Sequence, residues 1–115
     1  IEARIYAEDP VRFLPSPGQL TRFDLPCGDG LRVETGYAQG CAVTPFYDPM
    51  VAKLVAHGSD RAQAIARLGS ALARTRIEGV KTNTAFIQKI LAHADFLENR
   101  IDTGIAQRVL DNTPA

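Results

Sequence analysis

Residues 1–10 of the chain, IEARIYAEDP, decide the fold class, because their first seven positions alternate between two kinds of side chain. The even positions carry the polar side chains Glu2, Arg4 and Tyr6, and the odd positions between them carry apolar ones. Successive side chains of a β-strand point to opposite faces of a sheet, so this period of two predicts a strand with two different faces. Pro10 ends the strand and begins a turn-rich connection.

Further short strands follow in the first half of the chain. Residues 19–23 and 31–35 have the pattern of strands, and the segment between them, 26–30, carries two glycines that are free to adopt positive φ. That pattern predicts a hairpin loop joining the two strands. Residues 50–56 form an apolar run interrupted only by Lys53, which predicts a half-buried strand.

The second half of the chain has helical periodicity, since apolar residues recur at intervals of three and four and form one stripe per segment. The predicted helices lie near 60–75, 82–93 and 103–110. Ser59 or Asp60 is expected to cap the first helix, and Thr82 or Asn83 the second. Strands followed by helices predict an α+β domain, in which an antiparallel sheet from the first half is packed by helices from the second.

Composition limits the classes of function. A length of 115 residues with 45% apolar side chains is typical of a single globular domain, here spanning 1–115. Thirteen basic and thirteen acidic side chains cancel, so no net field favours nucleic acid or an anionic membrane as a partner. No apolar run approaches the roughly 18 residues of a membrane span. Cys27 and Cys41 fit no metal-binding spacing, which favours reduced thiols over a disulfide or a reactive thiol, and isolated His57 and His93 argue against a metal site.

Two polar residues stand out as candidates for chemistry. Arg4 lies on the polar face of the first strand, and its planar, permanently charged guanidinium suits carboxylates, phosphates and developing oxyanions. The alternative is an exposed arginine that only solvates its face. Asp48 precedes Pro49, which restricts it to an extended or turn geometry. It is either a site residue or a turn-forming aspartate that hydrogen-bonds its own backbone.

Four sequence runs together resemble a known family. They are IEARIYAEDP at 1–10, FLPSPG at 13–18, PFYDPMVAKL at 45–54 and IEGVKTN at 77–83. In this order and spacing they resemble the C-terminal domain of biotin carboxylases. Those are the ATP-dependent subunits or domains of acetyl-, propionyl- and methylcrotonyl-CoA carboxylases, pyruvate carboxylase and urea carboxylase. In the last run, Gly79 is expected to take a conformation that other residues resist, and Thr82-Asn83 to cap the next helix.

The resemblance implies roles for individual residues. The arginine of the first run, here Arg4, contacts bicarbonate or carboxyphosphate and the ureido oxygen of biotin in this family, so Arg4 is the expected catalytic and biotin- and bicarbonate-binding residue. Asp48 is then expected to orient Arg4 or to lie beside the biotin pocket. Asp29 and Arg32 fall where the bacterial subunits form a dimer interface. Arg32 matches an arginine of that interface, whereas Asp29 stands where a bulky aromatic side chain can occur.

The resemblance also implies what surrounds this chain. The 115 residues contain neither the glycine-rich loop of the family's ATP-grasp core, which binds ATP with Mg²⁺ or Mn²⁺, nor a biotin-bearing lysine between two methionines. The chain is therefore expected to be a C-terminal fragment of a longer biotin carboxylase that binds no cofactor and is inactive alone. Its expected partners are the ATP-grasp core of the same polypeptide, a biotinyl carrier domain, a carboxyltransferase and a second copy in a homodimer. The expected location is the cytoplasm, or the mitochondrial matrix in a eukaryote.

Two other functions stay open at this stage. The domain could be a non-catalytic module that serves dimerisation or carrier docking through its sheet and the 28–30 loop. It could also belong to a carboxylating ATP-grasp ligase outside the biotin group, although the four runs resemble the biotin-dependent members. Arg4 separates the first alternative from the catalytic interpretation, because a catalytic wall needs this side chain and a scaffold does not.

Overall fold

The computed structural model describes residues 1–111, which form seven strands and four helices within that range. The strands are β1 Glu2–Tyr6, β2 Gly18–Gln19, β3 Arg22–Asp24, β4 Leu31–Glu34, β5 Ala42–Val43, β6 Met50–Ala56 and β7 Arg76–Glu78. The helices are α1 Arg61–Arg74, α2 Thr84–Ala92, α3 Ala94–Leu97 and α4 Ile105–Asp111. Six of the seven strands precede the first helix and all sheet pairs are antiparallel, so the predicted α+β class is confirmed.

The main sheet has three strands in the order β1-β6-β4, with β6 in the middle. The run at 50–56 is rich in apolar side chains because a middle strand has a neighbour on each side and a helix below it. Ile5 of β1 and Leu54 of β6 are fully buried on the inner face of this sheet. The predicted two-faced strand at the start of the chain is confirmed, since exposed and buried residues alternate along β1.

The predicted hairpin between residues 19–23 and 31–35 is wrong. β3 pairs with β7, which is far away in the sequence, and β4 pairs with β6. The loop at 26–30 therefore connects strands of two different sheets. Its glycines do adopt positive φ, at Gly28 and Gly30, but turn chemistry alone does not determine which strands a loop brings together.

The predicted strand 19–23 is divided in two because the chain changes its pairing partner there. The N–H of Leu20 donates to the carbonyl oxygen of Cys41 at 2.8 Å, whereas the N–H of Thr21 donates to that of Glu78 at 3.0 Å. Leu20 is fully buried at the point of change. The result is two short two-stranded sheets, β2-β5 and β3-β7, beside the main one.

Helix α1 covers the inner face of the main sheet. It packs on β6, and its predicted apolar stripe is confirmed by the burial of Leu68 and Leu72 in the core. Asp60 is the N-cap residue, and its side chain accepts a hydrogen bond from the N–H of Gln63 at 2.8 Å. One of the two predicted caps is thus the observed one, and it satisfies an N–H that the first helical turn leaves without an intrahelical partner.

The other two predicted helices are α2 and α4, and the short α3 was not predicted. His93 separates α2 from α3, and its ring Nδ1 accepts a hydrogen bond from the N–H of Asp95 at 3.1 Å. Asn83 occupies the N-cap position of α2 as predicted, but its side chain makes no capping hydrogen bond. Gly79 confirms the predicted special backbone, since its φ is +100° and a Cβ there would collide with the carbonyl oxygen of Gln19.

Candidate functional site

The outer face of the main sheet carries a group of charged side chains, called here the outer-face cluster. Its members are Glu2, Arg4, Arg32, Glu34 and Lys53. The strand register places Arg4, Lys53 and Glu34 in one row across the sheet, and Glu2, Val55 and Arg32 in the next. Side chains in such rows on one face are close enough to interact. Three cations against two anions leave this face with a small positive excess, which favours the approach of anions.

Arg4 lies on the edge strand of this cluster and remains accessible. Its Nε donates a hydrogen bond to Oε2 of Glu2 at 2.9 Å, and 56% of its side chain is exposed. The hydrogen bond with Glu2 raises the pKa of Arg4 above its ordinary value, and a weaker interaction with the Tyr6 hydroxyl acts in the same direction. The guanidinium is therefore a permanent cation that Glu2 holds by one nitrogen, with donors left for an anionic or carbonyl-like group.

Glu2 links the cations of the cluster electrostatically. The hydrogen bond from Arg4 lowers the pKa of Glu2, and the charges of Arg4, Lys53 and Arg32 lower it further. The carboxylate thus interacts electrostatically with cations on all three strands of the main sheet. From the sequence, Lys53 belongs to the PFYDPMVAKL run and interrupts an apolar strand, and it is predicted to be structural. A single lysine in a strand gives no signal of what lies across from it.

Asn83 holds the backbone of the strand that carries Arg4. Its Oδ1 accepts a hydrogen bond from the N–H of Tyr6 at 2.9 Å, and its Nδ2 donates to the carbonyl oxygen of Arg4 at 3.2 Å. Sequence reasoning missed this contact because a Thr-Asn pair before a helical stripe is a cap signal. A buried asparagine 79 positions away from its partner has no local signature.

Asp48 lies in the exposed loop before β6. Its Oδ1 accepts a hydrogen bond from the N–H of Met50 at 2.8 Å, which is the turn geometry that one of the two sequence interpretations predicts. The ion-pair partner of Arg4 in the structure is Glu2, not Asp48. The neighbouring side chains Phe46 and Tyr47 are strongly exposed for aromatic residues. A role of Asp48 in the site therefore stays a prediction.

Asp29 and Arg32 are both exposed, at the loop before β4 and within β4. Nε of Arg32 lies 3.2 Å from Oε1 of Glu34. Because β4 is the edge strand opposite β1, this pair lies at the far side of the sheet from Arg4. Arg32 thus shares the outer-face cluster with Arg4 but lies on the opposite edge strand, and Asp29 and Arg32 are both on the surface.

A concavity of about 220 Å³ adjoins the outer-face cluster between β4 and β6. Its lining includes the charged side chains of Glu34 and Lys53 together with Tyr37 and Met50. Its lining thus combines polar and apolar side chains. Such a surface suits a small group that presents both an apolar ring and a polar edge.

Neither a metal-binding cluster nor a membrane-spanning helix is seen in the described part of the chain. Residues 1–111 contain no group of three or more histidine, cysteine, aspartate or glutamate side chains arranged to hold a metal ion. In the same range no helix has the length and apolar character needed to cross a membrane. Cys27 and Cys41 are both exposed and are not joined in a disulfide.

Comparisons with known proteins show which proteins the chain resembles in sequence and fold. The family model described as biotin carboxylase C-terminal domain matches residues 2–108. The biotin carboxylase of Halalkalibacterium halodurans is 54% identical over 96 residues, which cover 84% of this chain and 21% of that protein. The biotin carboxylase–β-γ-ATP complex from Campylobacter jejuni is similar in structure, with a TM-score of 0.88 and 40% identity over 93% of this chain and 24% of that one.

A second similar structure is described as a dimer. It is the biotin carboxylase domain of the Hydrogenobacter thermophilus 2-oxoglutarate carboxylase, described as a complex with MgADP, ADP and bicarbonate. Its TM-score is 0.91 at 36% identity, over 98% of this chain and 26% of that one. The chain thus spans about a quarter or less of the length of these relatives.

Proposed function

The chain belongs to the biotin carboxylase C-terminal domain family, and on that premise we propose that it forms one wall of the active site in a longer biotin carboxylase, with Arg4 reaching the reacting groups. The family resemblance of the four sequence runs is confirmed by the match over residues 2–108. The observation that carries the proposal is the position of Arg4: a permanent cation, more than half exposed, on a face of the sheet that carries three cations and two anions.

The proposed reaction joins bicarbonate to biotin. ATP activates bicarbonate as carboxyphosphate, and CO2 is then transferred to N1 of a biotin held on a carrier protein. Loss of the N1 proton places negative charge on the ureido oxygen of biotin. Arg4 stabilises that charge, and the charge of the bicarbonate-derived anion, because a preplaced guanidinium donates hydrogen bonds without reorganising during the reaction. The hydrogen bond that Nε of Arg4 donates to Glu2 keeps the side chain oriented before the substrate binds.

Asp48 has a smaller part in the proposal. Its carboxylate already accepts the N–H of Met50, so it shapes the start of β6. We propose that its second oxygen orients Arg4 or meets the edge of biotin once the remaining protein is present. This role is kept separate from that of Arg4, because loss of Asp48 would also disturb the turn.

The rest of the enzyme is proposed to come from outside the 115 residues. The relatives are four to five times longer than the matched segment, so we assign ATP and Mg²⁺ or Mn²⁺ binding to an ATP-grasp core of the same polypeptide. A biotinyl carrier domain, a carboxyltransferase and a second copy meeting near Asp29 and Arg32 complete the proposed assembly. The single domain 1–115 is then inactive by itself. The proposed location is the cytoplasm, or the mitochondrial matrix in a eukaryote.

The test is bicarbonate-dependent ATP hydrolysis by the full parent polypeptide, with and without free biotin. Arg4→Ala is expected to keep ATP binding and to lose most of the biotin-stimulated rate, about a hundredfold or more by analogy with the loss of a single preorganised donor. Arg22→Ala is the matched control. Arg22 is also an exposed strand arginine bound to an acid two residues away, with Nε 2.7 Å from Asp24, but it belongs to a different sheet.

Each outcome separates the candidate functions. Loss of biotin stimulation in Arg4→Ala but not in Arg22→Ala supports the catalytic wall. Equal stimulation in wild type and Arg4→Ala would leave the domain as a dimerisation or carrier-docking module. Absence of any biotin effect in the wild type would point to a carboxylating ligase outside the biotin group.

A further inference from the structure

Strand β1 has one edge that no other described strand covers. Along one edge β1 pairs with β6. Along its other edge, the next paired position is an isolated bridge between Ala7 and Thr82. An uncovered edge leaves backbone N–H and C=O groups that must find other partners. On β1 these groups include the carbonyl of Arg4 and the N–H of Tyr6, and both are taken by the side chain of Asn83.

The amide of Asn83 takes the place of a missing neighbouring strand. A carboxamide presents one donor and one acceptor, as a peptide group does, and here the acceptor binds at 2.9 Å and the donor at 3.2 Å. The two contacts lie on either side of Ile5, so one side chain holds the chain both before and after that residue. Asn83 is itself only 8% exposed, and in such a place a side chain with fewer polar groups would leave backbone groups unsatisfied.

The contact coincides with an irregularity in the strand pairing. The register between β1 and β6 shifts between Ile5 and Tyr6. Arg4 is therefore the last residue on the outer face before the regular pairing ends. Irregularities of this kind bend a strand and change the direction in which nearby side chains point. Asn83 clamps the backbone on both sides of the shift, and the direction of Arg4 therefore depends on it.

Helix α2 has no side-chain capping hydrogen bond from its N-cap residue in this arrangement. Asn83 is its N-cap residue, and its backbone carbonyl accepts the N–H of Ile87 at 3.0 Å, yet its side chain caps nothing. The helix start is instead flanked by a contact between the hydroxyls of Thr82 and Thr84 at 3.1 Å. The side chain that normally satisfies a helix N-terminus is directed to the strand of Arg4.

We propose that Asn83 is a positioning residue for the reaction: it acts through Arg4, by fixing the backbone from which the guanidinium projects. This inference rests on the proposed function of Arg4 and adds a second residue to it. Asn83 also fixes the backbone of Tyr6, whose N–H it binds. The hydroxyl of Tyr6 interacts in turn with the guanidinium of Arg4.

The test compares variants of the full parent enzyme in biotin-stimulated, bicarbonate-dependent ATP hydrolysis. Asn83→Ala is expected to lower kcat by about tenfold to a hundredfold with the KM for ATP changed by less than roughly twofold, since a small misplacement of a catalytic group affects the chemical step. Asn83→Asp keeps the shape and the acceptor toward Tyr6 but sets an oxygen in place of the donor toward the carbonyl of Arg4, so it should lose activity. Its melting temperature is measured as well, because a buried carboxylate facing a carbonyl oxygen also lowers stability. Leu91→Ala, a core substitution on the same helix, is the control for loss of stability alone.

A double-mutant cycle gives the readout that a merely structural residue would not produce. If Asn83 acts through Arg4, Asn83→Ala should cost little further activity in an Arg4→Ala background. Hydrogen exchange of the peptide containing the Tyr6 amide should be faster in Asn83→Ala than in wild type or Leu91→Ala.

The outcomes distinguish this inference from the proposed function. Full kcat in both Asn83 variants, with Arg4→Ala inactive, would overturn the positioning role and leave the function of Arg4 intact. Additive losses in the cycle, or an equal loss of kcat in Leu91→Ala, would reduce Asn83 to a structural residue. An active Arg4→Ala enzyme would overturn the proposed function, and the positioning role with it.

Discussion

Lys53 lies directly opposite Arg4 across the β1–β6 pair, so two cations share a row on the outer face of the sheet. Like charges in directly opposite positions destabilise a sheet. Here Glu34 lies on the other side of Lys53 and Glu2 is bound to Arg4, which places one acid beside each cation. The arrangement thus keeps two positive side chains adjacent on this surface.

Replacing Lys53 by methionine is expected to weaken anion binding at the Arg4 site. A unit charge about 4 Å from another in water contributes about 1 kcal/mol, so the KM for bicarbonate of the parent enzyme should rise by roughly fivefold. Steady-state kinetics with varied bicarbonate measure this. Lys81→Met is the control, since Lys81 is an exposed lysine whose partner is Asp9 rather than a member of the outer-face cluster. Equal KM values for the two variants would contradict the role of Lys53.

Asp9 is expected to make the stability of the chain fall at acid pH. Hydrogen bonds from the backbone N–H groups of Arg12 and Val11, followed by one from the Lys81 side chain, lower the pKa of Asp9 to about 2. A carboxylate with a lowered pKa contributes stability above its ordinary value of 3.8, and that contribution disappears as the pH falls toward 2. The melting temperature of wild type should therefore decline between pH 4 and pH 2 more steeply than that of Asp9→Asn.

The Lys81→Met variant serves as the control for this pH dependence. It removes only the lesser of the contacts, because the two backbone hydrogen bonds to Oδ1 of Asp9, at 2.8 Å from Val11 and 2.9 Å from Arg12, remain. Most of the decline should therefore persist in Lys81→Met. Parallel curves for wild type and Asp9→Asn would show that the turn at residues 9–12 does not depend on the charge of Asp9.

The same substitution, glycine to alanine, is expected to act in opposite directions at two positions. At Gly79 the positive φ and the collision of a Cβ with Gln19 should lower the free energy of unfolding by about 1–3 kcal/mol or more. At Gly69, inside α1, a Cβ would meet open space, and alanine should raise stability by about 0.5–1 kcal/mol through its higher helix propensity. Urea unfolding of the two variants and wild type measures both. A stabilising Gly79→Ala would show that the 77–83 loop can shift away from β2.

Local patterns in the sequence predicted the elements that depend on near neighbours. The alternation at 1–7, the apolar run at 50–56 and the stripe containing Leu68 and Leu72 correspond to β1, β6 and α1. The special conformation of Gly79 was predicted with the run at 77–83, and its positive φ confirms it. Pairing across long sequence distances was not predictable in this way. The hairpin predicted at 26–30 was wrong for this reason, because β3 pairs with β7 and β4 with β6.

The sequence by itself determined that β1 would present Arg4 on a polar face, because side-chain direction along a strand follows from backbone geometry alone. The family runs also determined which arginine to consider. Only the tertiary structure decided that Lys53 stands across from it and that Asn83 holds its backbone. Those contacts depend on how the helices and strands pack around a shared core. Because the hydrophobic effect that drives this packing is non-directional, a local sequence pattern does not specify which distant residues it brings together.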